Sequence, residues 1–194
     1  MRLFVAAEIS ESHKVSIERC VEQLRAALPQ ARWTGSDGRH VTLKFLGEVP
    51  DGRLEEAIEI LRSSLVRYQP VTTRLTDIGG FPSLRKARVL WLGLDDHSRR
   101  LAHLAARMEK FFGRAGFHSQ SRKLRPHITL ARLKSPAALD GLIEECGPYD
   151  FESEPFPITE VVLFRSNLGP GGATYEPLAR AGPKGVGFEV SDRT

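Results

Sequence analysis

Two four-residue segments of this 194-residue chain share one pattern, His40-Val41-Thr42-Leu43 and His127-Ile128-Thr129-Leu130, set 87 residues apart. Each opens a predicted strand, where successive side chains point to opposite faces. His40 and Thr42 then share one face while Val41 and Leu43 take the other, and the second segment repeats this with His127 and Thr129 against Ile128 and Leu130. Each segment plants its apolar residues in a core and presents an imidazole and a hydroxyl on the far side. A separation near half the chain is what two related lobes would give, one segment in each. Six histidines and nine threonines give roughly 0.3 His-x-Thr matches by chance, so the pair constrains fold and chemistry together.

The surrounding pattern predicts an α+β chain with antiparallel sheet. A strand over 2–9 precedes a helix carrying Ile17, Val21, Leu24 and Leu28 at helical spacing, stopped by Pro29. Strands at 31–34 and 39–46 flank the turn Gly35-Ser36-Asp37-Gly38 and are candidates for a hairpin. A second helix carries Leu54, Ile58, Leu61 and Leu65. Strands follow over 71–78 and 87–94, then a helix over 98–114 with Leu101, Leu104, Ala105, Met108, Phe111 and Phe112 inward. A basic connector over 120–126 leads to a strand over 127–134 and a short helix over 137–146. Strands over 151–156, 158–164 and 174–179 complete a single domain over 1–182, with a loose tail over 183–194. Strands and helices mix without steady βαβ alternation, which disfavours a doubly wound parallel sheet.

Composition removes several classes. No apolar run approaches the roughly 18 residues of a membrane span, and Glu8 arrives too early for a secretory apolar region. Cys20 and Cys146 sit in no C-x-x-C pairing and are expected as buried, reduced thiols. A cytoplasmic protein follows as the expectation, with a monomer as the default. The net charge of +4 says little, but its distribution says more. Residues 85–134 hold thirteen Lys or Arg against Asp95, Asp96 and Glu109, a local +10 within a remainder of −6. Such a block favours a polyanionic partner.

Two histidines with no carboxylate cluster suit acid–base work on a phosphodiester. One neutral imidazole takes a proton from the attacking oxygen, and one protonated imidazole gives a proton to the leaving oxygen. The ordinary imidazole pKa of roughly 6.5 serves both roles. Threonine hydroxyls donate to the non-bridging oxygens as charge builds there. This chemistry needs no metal and no cofactor. Strand parity puts Lys44 beside His40 and Thr42, as a phosphate contact or a solvated strand lysine. The same parity turns Arg132 toward the core unless the strand bends. Lys123 and Arg125, just ahead of the second motif, either track the phosphates of a polyanionic partner or form a solvated loop.

His13, His97, His103 and His118 are expected at polar ends, connectors or a helix flank. The absence of His-x-x-x-His and of a cysteine cluster disfavours a zinc hydrolase. The loop Gly169-Pro170-Gly171-Gly172 lacks the Lys-Ser/Thr of a P-loop. No Lys-x-Asp-Gly segment of a nucleotidyl-transferring ligase occurs.

The twin motifs resemble those of the 2H phosphoesterase superfamily. The segments Met1-Arg2-Leu3-Phe4-Val5-Ala6, His40-Val41-Thr42-Leu43-Lys44-Phe45-Leu46-Gly47, Arg125-Pro126-His127-Ile128-Thr129-Leu130-Ala131-Arg132 and Leu163-Phe164-Arg165-Ser166, with Tyr175 after the glycine loop, are similar to its RNA 2′,3′-cyclic phosphodiesterase branch, historically called 2′-5′ RNA ligase. The resemblance runs from residue 1 to about 180 and implies a bilobal α+β fold, its lobes related by a pseudo-twofold axis across a central groove. It implies opening of RNA 2′,3′-cyclic phosphates to 2′-phosphates, with 2′-5′ joining as the reverse and tRNA halves among the candidate substrates. His127 would be the proton acceptor, His40 the proton donor, Thr42 and Thr129 the phosphate holders. Arg132 matches a basic residue that the family places five positions after the second histidine, near phosphate. Two alternatives stand beside this: another 2H activity, on 2′-5′ oligoadenylate or a small cyclic nucleotide, and a non-catalytic RNA-binding module.

Overall fold

The computed structural model describes residues 1–66, 68–119, 124–145, 153–169 and 172–182. The expectations for Lys123, Cys146 and the tail over 183–194 lie outside them, as does that for the Cys20 side chain. The chain runs β1 (Arg2–Glu8), α1 (Glu11–Ala27), β2 (Arg32–Trp33), β3 (His40–Glu48), α2 (Leu54–Leu65), β4 (Val71–Thr73), β5 (Leu75–Phe81), β6 (Ala87–Leu94), α3 (Arg100–Arg114), β7 (His127–Ala137), α4 (Asp140–Glu145), β8 (Phe156–Ile158), β9 (Val161–Gly169) and β10 (Gly172–Ala181). Every strand pairing among the described residues is antiparallel.

Eight strands form one sheet in the order β10-β9-β1-β3-β7-β6-β5, with β2 beside β7; β4 and β8 pair apart from it. The joint in the middle is narrow, since β3 meets β7 at the single pair Val41–Ile128. Four strands lie on the β3 side of that joint, and β7, β6, β5 and β2 lie on the other. The expected hairpin between 31–34 and 39–46 does not form. Arg32 and Trp33 pair instead with Arg132 and Ala131 of β7, because the 3-10 turn over Ser36–Gly38 carries the chain across the joint. The single strand expected over 71–78 is two, β4 in the small sheet and β5 in the large one.

The two faces of the sheet differ in kind. One carries the main core, where Leu3, Val5, Val41, Leu43, Leu90, Leu92, Ile128 and Leu130 meet Ile17, Val21 and Leu24 of α1, Ile58 and Leu61 of α2, and Leu101, Met108 and Phe112 of α3. Burial of this kind is worth about 1.5–3 kcal/mol per large side chain. Phe111, expected inward, is only half-buried, with the Arg107 guanidinium 5.1 Å from its ring centre. The opposite face holds a small second cluster, Phe4, Ala6, Val162 and Phe164, with Tyr175 against it. No helix among the described residues is long and apolar enough to cross a membrane.

Candidate functional site

Val41 and Ile128, the joint pair, are both fully buried in the helix-side core. Alternation therefore turns their neighbours His40, Thr42, His127 and Thr129 to the other face, where all four are half-buried. An antiparallel pair has a local twofold axis between its partners. That axis carries His40-Val41-Thr42 onto His127-Ile128-Thr129, so the structure brings the two segments together at their middle residues. Among the described residues, neither threonine hydroxyl is engaged by a hydrogen bond.

The two strands also break alternation at the same step. Ala6 pairs with Thr42 and Val5 with Lys44, leaving Leu43 as an extra residue. Trp91 pairs with Thr129 and Leu90 with Ala131, leaving Leu130 extra. A bulge of this kind sets two residues against one and shifts the parity beyond it. Burial runs identically through both segments: Leu43 with Lys44, and Leu130 with Ala131, are consecutive buried pairs, while Phe45 and Arg132 emerge after them.

The bulge corrects one expectation and resolves another. Lys44 does not stand beside His40 and Thr42. It is 0% exposed on the helix side, where its Nζ donates to Glu109 Oε2 of α3 at 2.7 Å and to the carbonyl of His118. Unbroken parity was the wrong premise. Arg132 is returned by the bulge to the histidine face, and its charge bears on His127. Phe45, its counterpart on β3, is 42% exposed on that same face, and nothing but the bulge could have revealed it.

Aromatic rings wall each imidazole. His40 lies 4.9 Å from Phe4, 5.7 Å from Phe164 and 5.0 Å edge-on from Tyr175. His127 lies edge-on to Phe81 at 5.0 Å and to Trp91 at 6.1 Å. Trp91 fits because its cross-strand partner is Gly79, where a Cβ would fall 2.1 Å from the indole. Arg125 is exposed, and its guanidinium sits 5.2 Å from the Trp91 ring centre, which puts a second cation beside His127. Ahead of His40, Arg39 is 1% exposed and anchors β3 to α1 through the Lys14 carbonyl at 3.0 Å and Glu18. His13 proves structural, buried against Phe156 at 4.2 Å and bonded to the Glu154 carbonyl at 2.9 Å.

The imidazoles are held differently. His127 Nδ1–H donates to the Arg125 carbonyl at 2.7 Å, which fixes the tautomer and leaves Nε2 with its lone pair. His40 Nδ1 is buried without a partner among the described residues. Burial pushes the His40 pKa down to about 4, with Glu8 opposing and His127 and Lys14 assisting. His127 is also lowered, first by burial, with the Arg125 carbonyl opposing and Arg132 and Arg125 assisting.

A stability slope follows. Between about pH 4 and 6.5 the unfolded chain binds a proton at His40 that the folded chain refuses, so stability rises with pH through that window and falls as pH is lowered. Urea midpoints compared at roughly pH 7 and pH 4.5 will drop further for the wild type than for His40→Phe. Equal drops in the two proteins rule out a depressed His40.

Comparison with known proteins gives the family. The 2′-5′ RNA ligase superfamily model matches residues 13–170. A protein of Methanothermobacter thermautotrophicus called RNA 2′,3′-cyclic phosphodiesterase is 31% identical over 179 residues, covering 92% of this chain and 96% of its own. The structure of TT0787 of Thermus thermophilus is similar with a TM-score of 0.81 at 25% identity, covering 95% of this chain and 99% of that one. Escherichia coli LigT complexed with 3′-AMP is similar with a TM-score of 0.75 at 30% identity, covering 94% and 98%. With its twin His-x-Thr strands crossing at one residue pair, the chain belongs to the 2′-5′ RNA ligase superfamily.

Proposed function

We propose that this protein is an enzyme that opens 2′,3′-cyclic phosphodiester ends of RNA with water, leaving a 2′-phosphomonoester and a free 3′ hydroxyl. The observation that carries this reading is the joint, where His40, His127, Thr42 and Thr129 share one face of the sheet. His127 Nε2 accepts the proton of the attacking water. Its Nδ1 bond to the Arg125 carbonyl keeps that lone pair available and stabilises the imidazolium as it forms. The water oxygen bonds to phosphorus, the P–O3′ bond breaks, and His40 delivers a proton to the departing O3′. Thr42, Thr129 and Arg132 take the non-bridging oxygens, and Arg125 extends the positive charge along the strand of RNA. With a 5′ hydroxyl of a second RNA end in place of water as the nucleophile, the same steps form a P–O5′ bond as P–O3′ breaks, which would be 2′-5′ ligation.

A proton donor must hold a proton, and burial denies one to His40 in the free protein. A phosphodiester anion placed beside the ring favours imidazolium, so proton uptake accompanies substrate binding. The four strands on either side of the joint act as the two lobes of one domain over 1–182, and a single chain supplies both motifs, as a monomer acting on RNA in the cytoplasm requires. Halves of cleaved tRNA, which end in this group, are substrates the reading includes.

The test is RNA ending in a 2′,3′-cyclic phosphate, incubated with the protein in EDTA. A 2′-phosphate product supports the reading. A 3′-phosphate product, or activity abolished by EDTA and restored by a metal, overturns it. Cleavage confined to 2′-5′ oligoadenylate points to the other phosphodiesterase activity.

A further inference from the structure

The three long helices cover one face of the sheet, and two of them neutralise their own outer charges. On α1, Lys14 meets Glu11 at 2.7 Å and Arg25 meets Glu18 at 3.0 Å. At α2, Arg53 meets Glu56 at 2.7 Å and Arg62 meets Glu59. Helix α3 does neither. Arg100, His103, Arg107, Lys110 and Arg114 recur at alternating steps of three and four, which draws one stripe along its exposed side. Its single acidic residue, Glu109, is turned to the other side and spent on Lys44. Among the described residues, Arg100, Lys110 and Arg114 have no carboxylate within ion-pair distance.

Apart from Arg107, and from Arg114 in the last turn where a cation suits the helix dipole, folding gains little from this stripe. Like charges three or four residues apart weaken a helix by about 0.2–0.5 kcal/mol per pair. Arg100 stands in a first turn without acidic residues, where a cation opposes the helix dipole. One member has structural work: Arg107 donates from Nε to the Ser64 carbonyl at 2.6 Å and from Nη2 to the Val66 carbonyl at 3.1 Å. It thereby holds the end of α2 against the stripe, and a depression of about 250 Å³ opens there between Tyr68, Arg100, His103 and Arg107.

We propose that the α3 stripe is a second RNA contact, gripping the phosphate backbone of the substrate's body while its cyclic end occupies the histidine face. This rests on the phosphodiesterase reading above. From Arg100 to Arg114 the helix extends about 21 Å, room for several successive phosphates. Exposed guanidinium and ammonium groups hold phosphates without regard to base. Because α3 lies on the face opposite the histidines, only an RNA long enough to round the edge of the sheet reaches both. The basic block of residues 85–134 is thus divided between the two faces: Arg125 and Arg132 serve the cyclic end, and the stripe serves the body.

The test is the triple variant Arg100→Gln, Lys110→Gln, Arg114→Gln, which leaves Arg107 in place. Anisotropy of a labelled tRNA half ending in a 2′-phosphate reads binding across a salt series, and 2′,3′-cyclic AMP reads turnover. The salt slope of log Kd should shrink by about 2, near 0.7 for each lost single-strand contact, while kcat/KM on cyclic AMP stays at the wild-type value. An unchanged slope overturns the proposal. So does an equal loss on cyclic AMP, which marks a general defect in place of a lost contact. A wild-type protein inert toward both cyclic AMP and cyclic-ended RNA defeats the phosphodiesterase reading, and the binding arm still decides separately whether the stripe holds RNA.

Discussion

Alanine at either His40 or His127 lowers kcat/KM on cyclic-ended RNA by about 10³-fold, within the 10²–10⁴ typical of a lost general acid or base. Alanine at both costs little more than alanine at one, because the two groups act in one transition state. The pH profile gives an independent reading. The active form needs one imidazole protonated and one neutral, so kcat/KM falls on both sides of a maximum, with apparent pKa values that belong to the pair. Both groups are lowered by burial in the free protein, which puts the kcat/KM maximum on the acid side of the ordinary imidazole value of 6.5. Bound phosphodiester raises both, and the kcat maximum therefore lies at higher pH than that of kcat/KM. Full activity in either alanine variant defeats two-histidine catalysis in this site, and a kcat/KM maximum above roughly pH 7 defeats the lowering of both imidazoles by burial.

The parts of this site that strand alternation governs were legible in the sequence. His40, Thr42, His127 and Thr129 needed only period two and an apolar residue between, and the structure sets all four on one face. The bulges were hidden. No glycine or proline marks Leu43 or Leu130 as extra residues, and a bulge is decided by the partner strand, here Val5-Ala6 and Leu90-Trp91. Parity therefore failed one residue past each motif, misplacing Lys44 and hiding Phe45. The aromatic walls escaped for a related reason. Phe4, Trp91 and Phe164 read as ordinary strand residues, and Phe81 as part of the connector between the strands over 71–78 and 87–94, until neighbouring strands bring them around a histidine. Helix positions were read well, since the stripes in α1, α2 and α3 each report on one packed face. Pairing partners were not, as the missing hairpin at β2 shows.

Glu109→Ala destabilises the protein by about 3 kcal/mol, the low end for breaking a buried pair, because it strands the Lys44 ammonium at 0% exposure with the His118 carbonyl for company. Lys44→Met is far milder, about 1 kcal/mol or less. It removes the buried charge outright, and the remaining carboxylate is 28% exposed and already accepts from Ser119 Oγ at 2.8 Å. Double replacement by Met and Leu restores most of what Glu109→Ala loses, since an apolar pair of similar volume carries no desolvation penalty. Urea unfolding of the three variants checks this order. Activity then separates the two placements of Lys44. A lysine on the phosphate would give up a charge-assisted hydrogen bond worth about 1.5–3 kcal/mol, at least tenfold in kcat/KM. A lysine tied to α3 behind the bulge gives up none, so Lys44→Met retains kcat/KM within a small factor while Arg132→Met, on the histidine face, does not. If Lys44→Met matches the Arg132 loss with its stability intact, the bulge does not turn Lys44 away from the substrate.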